Sequence, residues 1–208
     1  MGTKYDFGFA KRDWSASPVQ LDFDNAEKCS AEGGMRAIFA TNVPLMTSVG
    51  DDATNGICVA KVFKQKLHCK LQDYFNEAET QCRCEAFAHD FNAKMNVEQK
   101  ISFLACSVVV IDQNSIPDQY GQDSFYSFRT CDTNEVVCCL EPQLKGVYTK
   151  YNNNAGRTFG IGDEGGTDSY INQRDDFLQL AEAFSHFTLA ESNGWMIIVD
   201  LQGVRDFF

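Results

Sequence analysis

The hydrophobic pattern of this chain changes its period at Leu71, and that change limits the folds open to it. Before Leu71, the segment GICVAKVF (residues 56–63) alternates, with Lys61 on one face and Ala60 on the other, which predicts a strand. From Leu71, apolar residues recur at helical spacing through KLQDYFNEAETQCRCEAFAHDFN (residues 70–92), which predicts one long helix. Strands and helices in this order predict an α+β fold.

Two further apolar runs of strand length follow the long helix, LACSVVVI (residues 104–111) and EVVCCLE (residues 135–141). Pro142 comes directly after the second run, and because proline has no backbone N–H, the strand is expected to end there. We therefore expect a hinge at residues 141–146. This places the first domain at residues 1–140 and the second at residues 141–208.

The second domain begins with a polar, glycine-rich stretch, and residues about 157–177 are interpreted as a surface insertion. Within it, GIGDEG (residues 160–165) has the spacing GxGxxG, but it follows no predicted strand and carries two carboxylates where an anion would bind. It is therefore not interpreted as a nucleotide motif. A short helix, DFLQLAEAFSHFT (residues 176–188), and a final strand, WMIIVDLQ (residues 195–202), complete the prediction.

Charge and composition exclude several classes of partner. The chain has 29 acidic and 18 basic residues, a formal charge of -11, and no basic patch, so we expect no nucleic-acid partner. No apolar stretch approaches the roughly 20 residues that span a bilayer, so we expect no membrane segment. The nine cysteines have no paired CxxC spacing, which favours free thiols and a cytoplasmic location. No feature indicates an oligomeric state.

Asp200 and Gln202 are the most suggestive polar pair. In an extended strand, both side chains point to the face opposite Ile197, Val199 and Leu201, which are expected to be buried. A carboxylate and an amide oxygen at the end of a strand suit a hard cation such as Mg²⁺. The alternative is that both groups are solvated or cap the strand end.

Three other positions have both a functional and a structural interpretation. Lys61 either lays its stem on the sheet with its ammonium in water, or points at a phosphate. Gly33 and Gly34 before Arg36 either allow positive φ and close approach of a ligand, with Arg36 as a fixed charge, or form a hairpin turn. His186 in FSHFT is either a packed histidine or a lone metal ligand.

The order of these motifs along the chain is more specific than any one of them. The motifs are GGMR (33–36), VAK (59–61), a helix ending FN (91–92), LEPQLKGVYTKYNNNAG (140–156), AFSHFT (183–188) and VDLQGV (199–204). From about residue 30 to the end, this order resembles the alpha-type protein kinases, the family that includes myosin heavy chain kinases, elongation factor 2 kinase and the channel-kinases.

The resemblance implies an atypical two-lobed protein-kinase-like fold with ATP between the lobes. Residues 1–140 would form a strand-rich N-lobe with one long helix, and residues 141–208 the hinge and part of the C-lobe. The implied activity is that of a serine/threonine protein kinase acting on a protein substrate. Its cofactors would be ATP and magnesium, with zinc only in a longer form.

Residue roles also follow from the resemblance alone. Lys61 would contact the nucleotide phosphates and Arg36 would line the same cleft. Glu141 and Leu144 would meet the adenine edge largely through backbone groups. Gln202 would be a magnesium ligand beside Asp200 in the catalytic strand, and His186 would be the first of four zinc ligands.

Three departures from the family pattern define the alternatives. The family's catalytic aspartate corresponds to position 210 and its remaining zinc ligands lie further on, so we expect a C-terminally incomplete kinase domain. Arg205 stands where the family has glycine after QGV. The alternative functions are a pseudokinase that binds nucleotide without turnover, and an interaction domain that binds no small ligand. An H-x-C-x3-C pattern downstream would support the enzyme.

Overall fold

The computed structural model describes residues 1–43, 57–155 and 171–208, and of residues 171–175 the backbone alone. These residues form two compact units. The first unit contains Met1–Cys82 and Ala105–Gln143, and the second contains Arg83–Leu104 and Leu144–Phe208. The GIGDEG segment lies outside the described residues.

An antiparallel sheet of eight strands forms the first unit, in the order β2-β1-β7-β8-β6-β5-β3, with β4 paired to β5. Its strands are β1 (Gly2–Gly8), β2 (Asp13–Val19), β3 (Asp22–Phe23), β4 (Ala31–Glu32), β5 (Arg36–Asn42), β6 (Ile57–Phe63), β7 (Ser107–Ile111) and β8 (Val137–Pro142). The predicted end of the strand at Pro142 is therefore confirmed.

The two faces of the sheet pack into separate clusters. Ala60 and Val62 of β6 are fully buried in a cluster with Phe39 and Phe125. Phe63, on the other face, packs against Tyr74 in a second cluster. The alternation predicted for β6 from the sequence is thus confirmed.

The long helix α1 (Leu71–Lys94) matches the predicted helix within two residues at its C-terminal end. Backbone N–H groups at its start are satisfied by carboxylates: Asp73 Oδ2 accepts from Lys70 at 2.7 Å, and Asp132 Oδ1 accepts from Leu71 at 3.1 Å. The side chain of Tyr74 ties the first half of α1 to the sheet, because its hydroxyl accepts from the Phe63 N–H at 3.1 Å.

In the second unit, the C-terminal half of α1 packs with α2 (Ile171–Glu191), and β9 (Thr149–Lys150) pairs with β10 (Gln202–Gly203). Its core includes Phe91 of α1 and Phe184 of α2, whose ring centroids lie 5.5 Å apart. Ile101 joins the same cluster. No helix among the described residues is long and apolar enough to cross a membrane.

The structure differs from the sequence predictions at three places. The second helix begins at Ile171 and not at Asp176, so residues 171–177 of the expected insertion are helical, while residues 156–170 lie outside the described range. Residues 83–104, expected in the first domain, cluster with the second unit because Phe91 and Ile101 share its core.

The third difference is the expected strand over residues 195–202. Only Gln202 of that segment is in a strand, and Asp200 has a left-handed φ of 63°, which breaks the alternation of side chains. Ile198 and Leu201 are buried, and Ile197 is 47% exposed. The prediction that Ile197, Val199 and Leu201 share a buried face is therefore wrong.

Candidate functional site

The side chains of Lys61 and Glu141 form an ion pair within the first unit. The register of β6 and β8 sets Lys61 opposite Cys139, so Glu141, two residues further along β8, projects from the same face. Nζ of Lys61 lies 2.5 Å from Oε2 of Glu141. The side chain of Lys61 is 26% exposed and that of Glu141 is 7% exposed, so the carboxylate is the shielded partner.

Arg36, the first residue of β5, is held by a carboxylate and an aromatic ring. Its Nη2 lies 2.7 Å from Oε1 of Glu77 on α1, and its Cζ lies 4.2 Å from the centroid of the Phe63 ring. Burial disfavours the charged guanidinium, but nearby negative groups, above all Glu77, outweigh burial and raise the pKa of Arg36.

One nitrogen of Arg36 has no acceptor. Its Nε is buried and has no hydrogen-bond partner among the described residues. A buried donor without a partner costs about 1–3 kcal/mol. This position therefore favours an additional acceptor, such as an oxygen of an anionic ligand.

Arg36 and Lys61 project from the same face of the sheet. The register of β5 and β6 pairs Arg36 with Phe63 and Ile38 with Lys61, and residues paired in this way share a face. The two cations are each matched by one carboxylate. Within the first unit, the structure thus brings together three of the residues that the sequence indicated: Arg36, Lys61 and Glu141.

The glycine pair before Arg36 forms a hairpin turn. β4 and β5 pair with Glu32 opposite Ala37, and the N–H of Gly33 donates to the carbonyl of Arg36 at 2.8 Å. Neither Gly33 nor Gly34 adopts a positive φ. The hairpin turn is therefore confirmed for the glycine pair, and the role of Arg36 as a fixed charge beside a ligand stays a prediction.

In the second unit, Asp200 is bound from two sides. Its Oδ1 lies 2.5 Å from Nζ of Lys150, and its Oδ2 accepts from Nε2 of Gln202 at 3.4 Å. Asp200 and Gln202 therefore meet, as expected, although not through a regular strand. Because the amide nitrogen of Gln202 faces Asp200, the amide oxygen is the end left to face a cation.

Lys150 is not among the residues that the sequence indicated. It lies fifty positions before Asp200 and reaches it because β9 and β10 set Lys150 opposite Gln202. The only sequence signal was its place in the segment LEPQLKGVYTKYNNNAG. Hydrophobic periodicity gives no sign of an ion pair between residues so far apart in the chain.

Buried polar side chains hold the backbone around Asp200. Asn152, which is 4% exposed, accepts from the N–H of Leu201 at 2.8 Å and donates to Ser185 Oγ and Glu182 Oε1 on α2, both at 3.2 Å. Thr188, also on α2, accepts from the N–H of Ile198 at 3.0 Å. These bonds replace the strand ladder that the sequence predicted.

His186 and Leu144 are not joined to this group. His186 is exposed on α2 and Leu144 is half-buried after β8. Among the described residues, neither forms a hydrogen bond or ion pair with Asp200 or Gln202. The described ranges also contain no group of three or more His, Cys, Asp or Glu residues placed to hold a metal ion.

Comparisons with known proteins agree on one family. A family model described as the alpha-kinase family matches residues 31–208. Myosin heavy chain kinase B of Dictyostelium discoideum is 27% identical over 179 residues, which cover 86% of this chain and 19% of that protein. Myosin heavy chain kinase A of the same organism is 30% identical over 152 residues, which cover 72% of this chain and 11% of that protein.

Solved structures give the same result at the level of the fold. The alpha-kinase domain of myosin heavy chain kinase A in complex with ADP is 25% identical, with a TM-score of 0.70 over 100% of this chain and 79% of that chain. The same domain in complex with AMP has 25% identity and a TM-score of 0.71, with coverage of 100% and 81%.

The chain therefore spans less than a fifth of the curated relatives above and about four fifths of the solved domains. The mixed α+β, kinase-like fold expected from the sequence is confirmed by these structures. With a family model that matches all but the first thirty residues, the chain belongs to the alpha-kinase family.

Proposed function

We propose that this chain is the catalytic domain of an ATP-dependent serine/threonine protein kinase of the alpha-kinase type. The observation that carries the proposal is the arrangement of Arg36 and Lys61. They lie on one face of a sheet, each is held by a carboxylate, and Arg36 has a buried N–H that lacks an acceptor. The ADP bound by the similar myosin heavy chain kinase A domain supports a nucleotide as the missing ligand.

Lys61 and Arg36 have different roles in this proposal. Lys61 carries a compact point charge on a flexible stem, so its Nζ can adjust its position to contact a phosphate group. The planar guanidinium of Arg36 is instead fixed by Glu77 and Phe63. Glu141 orients Lys61 through its side chain. Its backbone, together with that of Leu144, would meet the adenine edge.

Asp200 and Gln202 would hold magnesium. A carboxylate and an amide oxygen are hard donors of the kind that Mg²⁺ prefers, and the contact between the two side chains places them together. Lys150 compensates the charge of Asp200. Bound Mg²⁺ would neutralise charge on the phosphates that are transferred.

Zinc does not fit the described residues. A structural zinc site uses four ligands, whereas His186 is a single exposed histidine and no group of three or more His, Cys, Asp or Glu residues placed to hold a metal lies in the described ranges. Zinc binding by His186 in a longer form stays a prediction.

The substrate in this proposal is a protein that carries the accepting Ser or Thr hydroxyl, as the protein kinases among the relatives indicate. A cytoplasmic location is also proposed, because all nine cysteines are free and free thiols persist in a reducing compartment.

Calorimetric titration with Mg-ATP tests the nucleotide site. We expect Lys61→Ala and Arg36→Ala to weaken binding by about tenfold or more, since hydrogen bonds to charged groups are worth about 1.5–3 kcal/mol. Lys64→Ala is the matched control, because Lys64 pairs with the exposed Glu32 at 2.6 Å. Circular dichroism of each variant separates lost binding from lost folding.

Phosphate transfer is tested separately. The protein is incubated with γ-labelled Mg-ATP and Ser/Thr-containing peptides, and phosphorylated residues are identified by mass spectrometry. Transfer that disappears in Lys61→Ala supports the kinase. Nucleotide binding without transfer favours the pseudokinase alternative, and unchanged ATP affinity in both Lys61→Ala and Arg36→Ala would refute the site.

A further inference from the structure

Two cysteines of the first unit meet outside the candidate nucleotide site. The backbone N–H of Cys131 donates to the carbonyl of Cys69 at 2.9 Å, and the thiol of Cys131 donates to the carbonyl of His68 at 2.9 Å. The His68 carbonyl belongs to the peptide bond that precedes Cys69. Cys131 therefore contacts the backbone on both sides of Cys69.

The geometry is compatible with a disulfide. The 2.9 Å bond from the Cys131 N–H to the Cys69 carbonyl limits the separation of the two Cα atoms to about 6.8 Å at most, and disulfides span about 4.4–6.8 Å. The two thiols also lie within each other's electrostatic reach, because Cys131 contributes to the raised pKa of Cys69.

The two thiols differ in their access to solvent. All nine cysteines lie in the described part of the chain, and Cys131 is the exposed one among them. Cys69 is half-buried, and burial first, then the nearby Asp73, raises the pKa of its thiol, while Arg36 acts in the opposite direction. Cys131 is therefore placed to meet an oxidant first, with Cys69 as the second thiol.

We propose that Cys69 and Cys131 are a site of reversible oxidation, at which a hydroperoxide such as hydrogen peroxide closes a disulfide between them. The site is independent of the proposed kinase activity.

The reaction has two steps. With hydrogen peroxide, the sulfur of Cys131 gives up its proton and attacks one peroxide oxygen, so an S–O bond forms and the O–O bond breaks. The departing oxygen takes up that proton and leaves as water. The sulfur of Cys69 then attacks the sulfenic sulfur of Cys131, so the S–S bond forms, the S–O bond breaks, and the hydroxyl leaves as a second water with the proton of Cys69. Two thiols are oxidised and one peroxide is reduced.

A second close pair of thiols, Cys106 and Cys139, has no exposed member. A hydrogen bond to Cys139 and burial raise the pKa of Cys106, and Cys139 is completely buried in β8. Raised thiol pKa and burial both disfavour reaction with peroxide. Cys138 is also completely buried, and its thiol pKa is raised by burial.

The bond would fix the start of α1. Cys69 lies two residues before Leu71, the first residue of the helix, and the neighbour of Cys131, Asp132, already binds the N–H of Leu71. A covalent link at this point closes a long loop of the chain and reduces the conformational freedom of the unfolded state. The oxidised protein should therefore melt several degrees higher than the reduced protein.

The test treats the purified protein with hydrogen peroxide, alkylates the remaining thiols, and maps disulfide-linked peptides by mass spectrometry. We expect a Cys69–Cys131 link as the main product, and dithiothreitol should remove it. The link should be absent from both Cys131→Ser and Cys69→Ser. It should be retained in the matched control Cys82→Ser. In Cys69→Ser, dimedone should trap a sulfenic acid at Cys131.

Two results would overturn the proposal. One is wild-type protein in which Cys131 is oxidised to sulfenic or sulfinic acid without any link to Cys69. The other is a main disulfide that joins different cysteines. If Cys131→Ser fails to fold, Cys69→Ser supplies the same comparison, because either substitution removes one of the two sulfurs.

Discussion

Glu141 holds Lys61 at 2.5 Å across two neighbouring strands, and the side chain of Glu141, at 7% exposed, is more deeply buried than that of its partner. The side chain of Lys61 is 26% exposed, so it remains in contact with water. The pair is therefore asymmetric: loss of the lysine leaves a buried charge without its ion-pair partner, whereas loss of the carboxylate leaves a charge that water can reach.

This asymmetry predicts unequal costs in a double-mutant cycle. We expect Lys61→Met to lower the free energy of unfolding by about 3 kcal/mol, and Glu141→Gln to lower it by less. The double variant should recover part of the loss, because no unpaired charge remains. Urea denaturation measures the free energies of unfolding of all three variants. Lys64→Met is the control, because the carboxylate partner of Lys64, Glu32, is exposed. Equal costs for both single variants would contradict this account.

Stability should also fall at alkaline pH. Burial raises the pKa of the Cys138 thiol and of the Tyr74 hydroxyl, so both groups keep their protons in the folded state. Once the pH exceeds the pKa values of the unfolded state, about 8.5 for Cys and about 10 for Tyr, the unfolded state binds fewer protons than the folded state. The free energy of unfolding then declines by up to about 1.4 kcal/mol per pH unit for each group.

Urea denaturation between neutral pH and pH 10, under reducing conditions, checks this dependence. Cys138→Ala should make the decline above pH 8.5 shallower. The control Val137→Ala, also completely buried in β8, should lower stability at every pH and keep the wild-type slope. A Cys138→Ala slope equal to that of the wild type would show that this thiol does not contribute.

The sequence predicted the parts of the fold whose cause is local. The alternation of β6 and the period of α1 are each set by neighbouring residues, and both were confirmed. The segment around Asp200 could not be predicted this way, because the N–H groups of Ile198 and Leu201 bond to the side chains of Thr188 and Asn152. Those partners lie 10 and 49 positions away in the chain, beyond the reach of any periodicity.

The candidate site was predictable to a similar extent. The resemblance to alpha-type kinases indicated Lys61 and Arg36 as ligand-binding groups, but it did not give their carboxylate partners. Glu77 meets Arg36 only because the first half of α1 packs on the same sheet face. Such ion pairs depend on tertiary structure, so they cannot be predicted from the local pattern of a single sequence.

Asn152 should determine the local stability of the segment around Asp200. Asn152→Ala leaves the N–H of the buried Leu201 without an acceptor, which costs about 1–3 kcal/mol. Amide hydrogen exchange at Leu201 should accelerate more than exchange at Phe184, whose helical hydrogen bond is unaffected. Ser185→Ala, which removes one of the bonds of Asn152 to α2, should leave Leu201 protected. Equal acceleration at both amides would indicate global destabilisation only.

Arg205 adopts a left-handed φ of 58° at the position where the family resemblance implies glycine. A non-glycine residue pays about 1–2 kcal/mol for this conformation, partly offset by the greater freedom of glycine in the unfolded chain. We therefore expect Arg205→Gly to raise the free energy of unfolding by about 0.5–1 kcal/mol. The bond from the Tyr151 hydroxyl to the Arg205 carbonyl uses backbone and survives. A drop in stability would show that the arginine side chain contributes more than its backbone costs.

Gln202 should be required for cation binding and not for the adenine contacts. If its amide oxygen is a ligand while its nitrogen donates to Asp200, Gln202→Ala removes a ligand and the group that orients the carboxylate. We expect affinity for Mn²⁺, used as a paramagnetic substitute for Mg²⁺ in the presence of ATP, to fall about tenfold or more. ATP affinity without the cation should be unchanged.

Two further variants make the result specific to Gln202. Gln72→Ala is the matched control, because Gln72 lies on α1 and donates to Asn76 at 3.1 Å; its Mn²⁺ affinity should equal that of the wild type. Lys150→Met removes the positive partner of Asp200, so the carboxylate becomes available to the cation and Mn²⁺ affinity should not fall as it does in Gln202→Ala. Wild-type Mn²⁺ affinity in Gln202→Ala would mean that Gln202 only supports Asp200 at the start of β10.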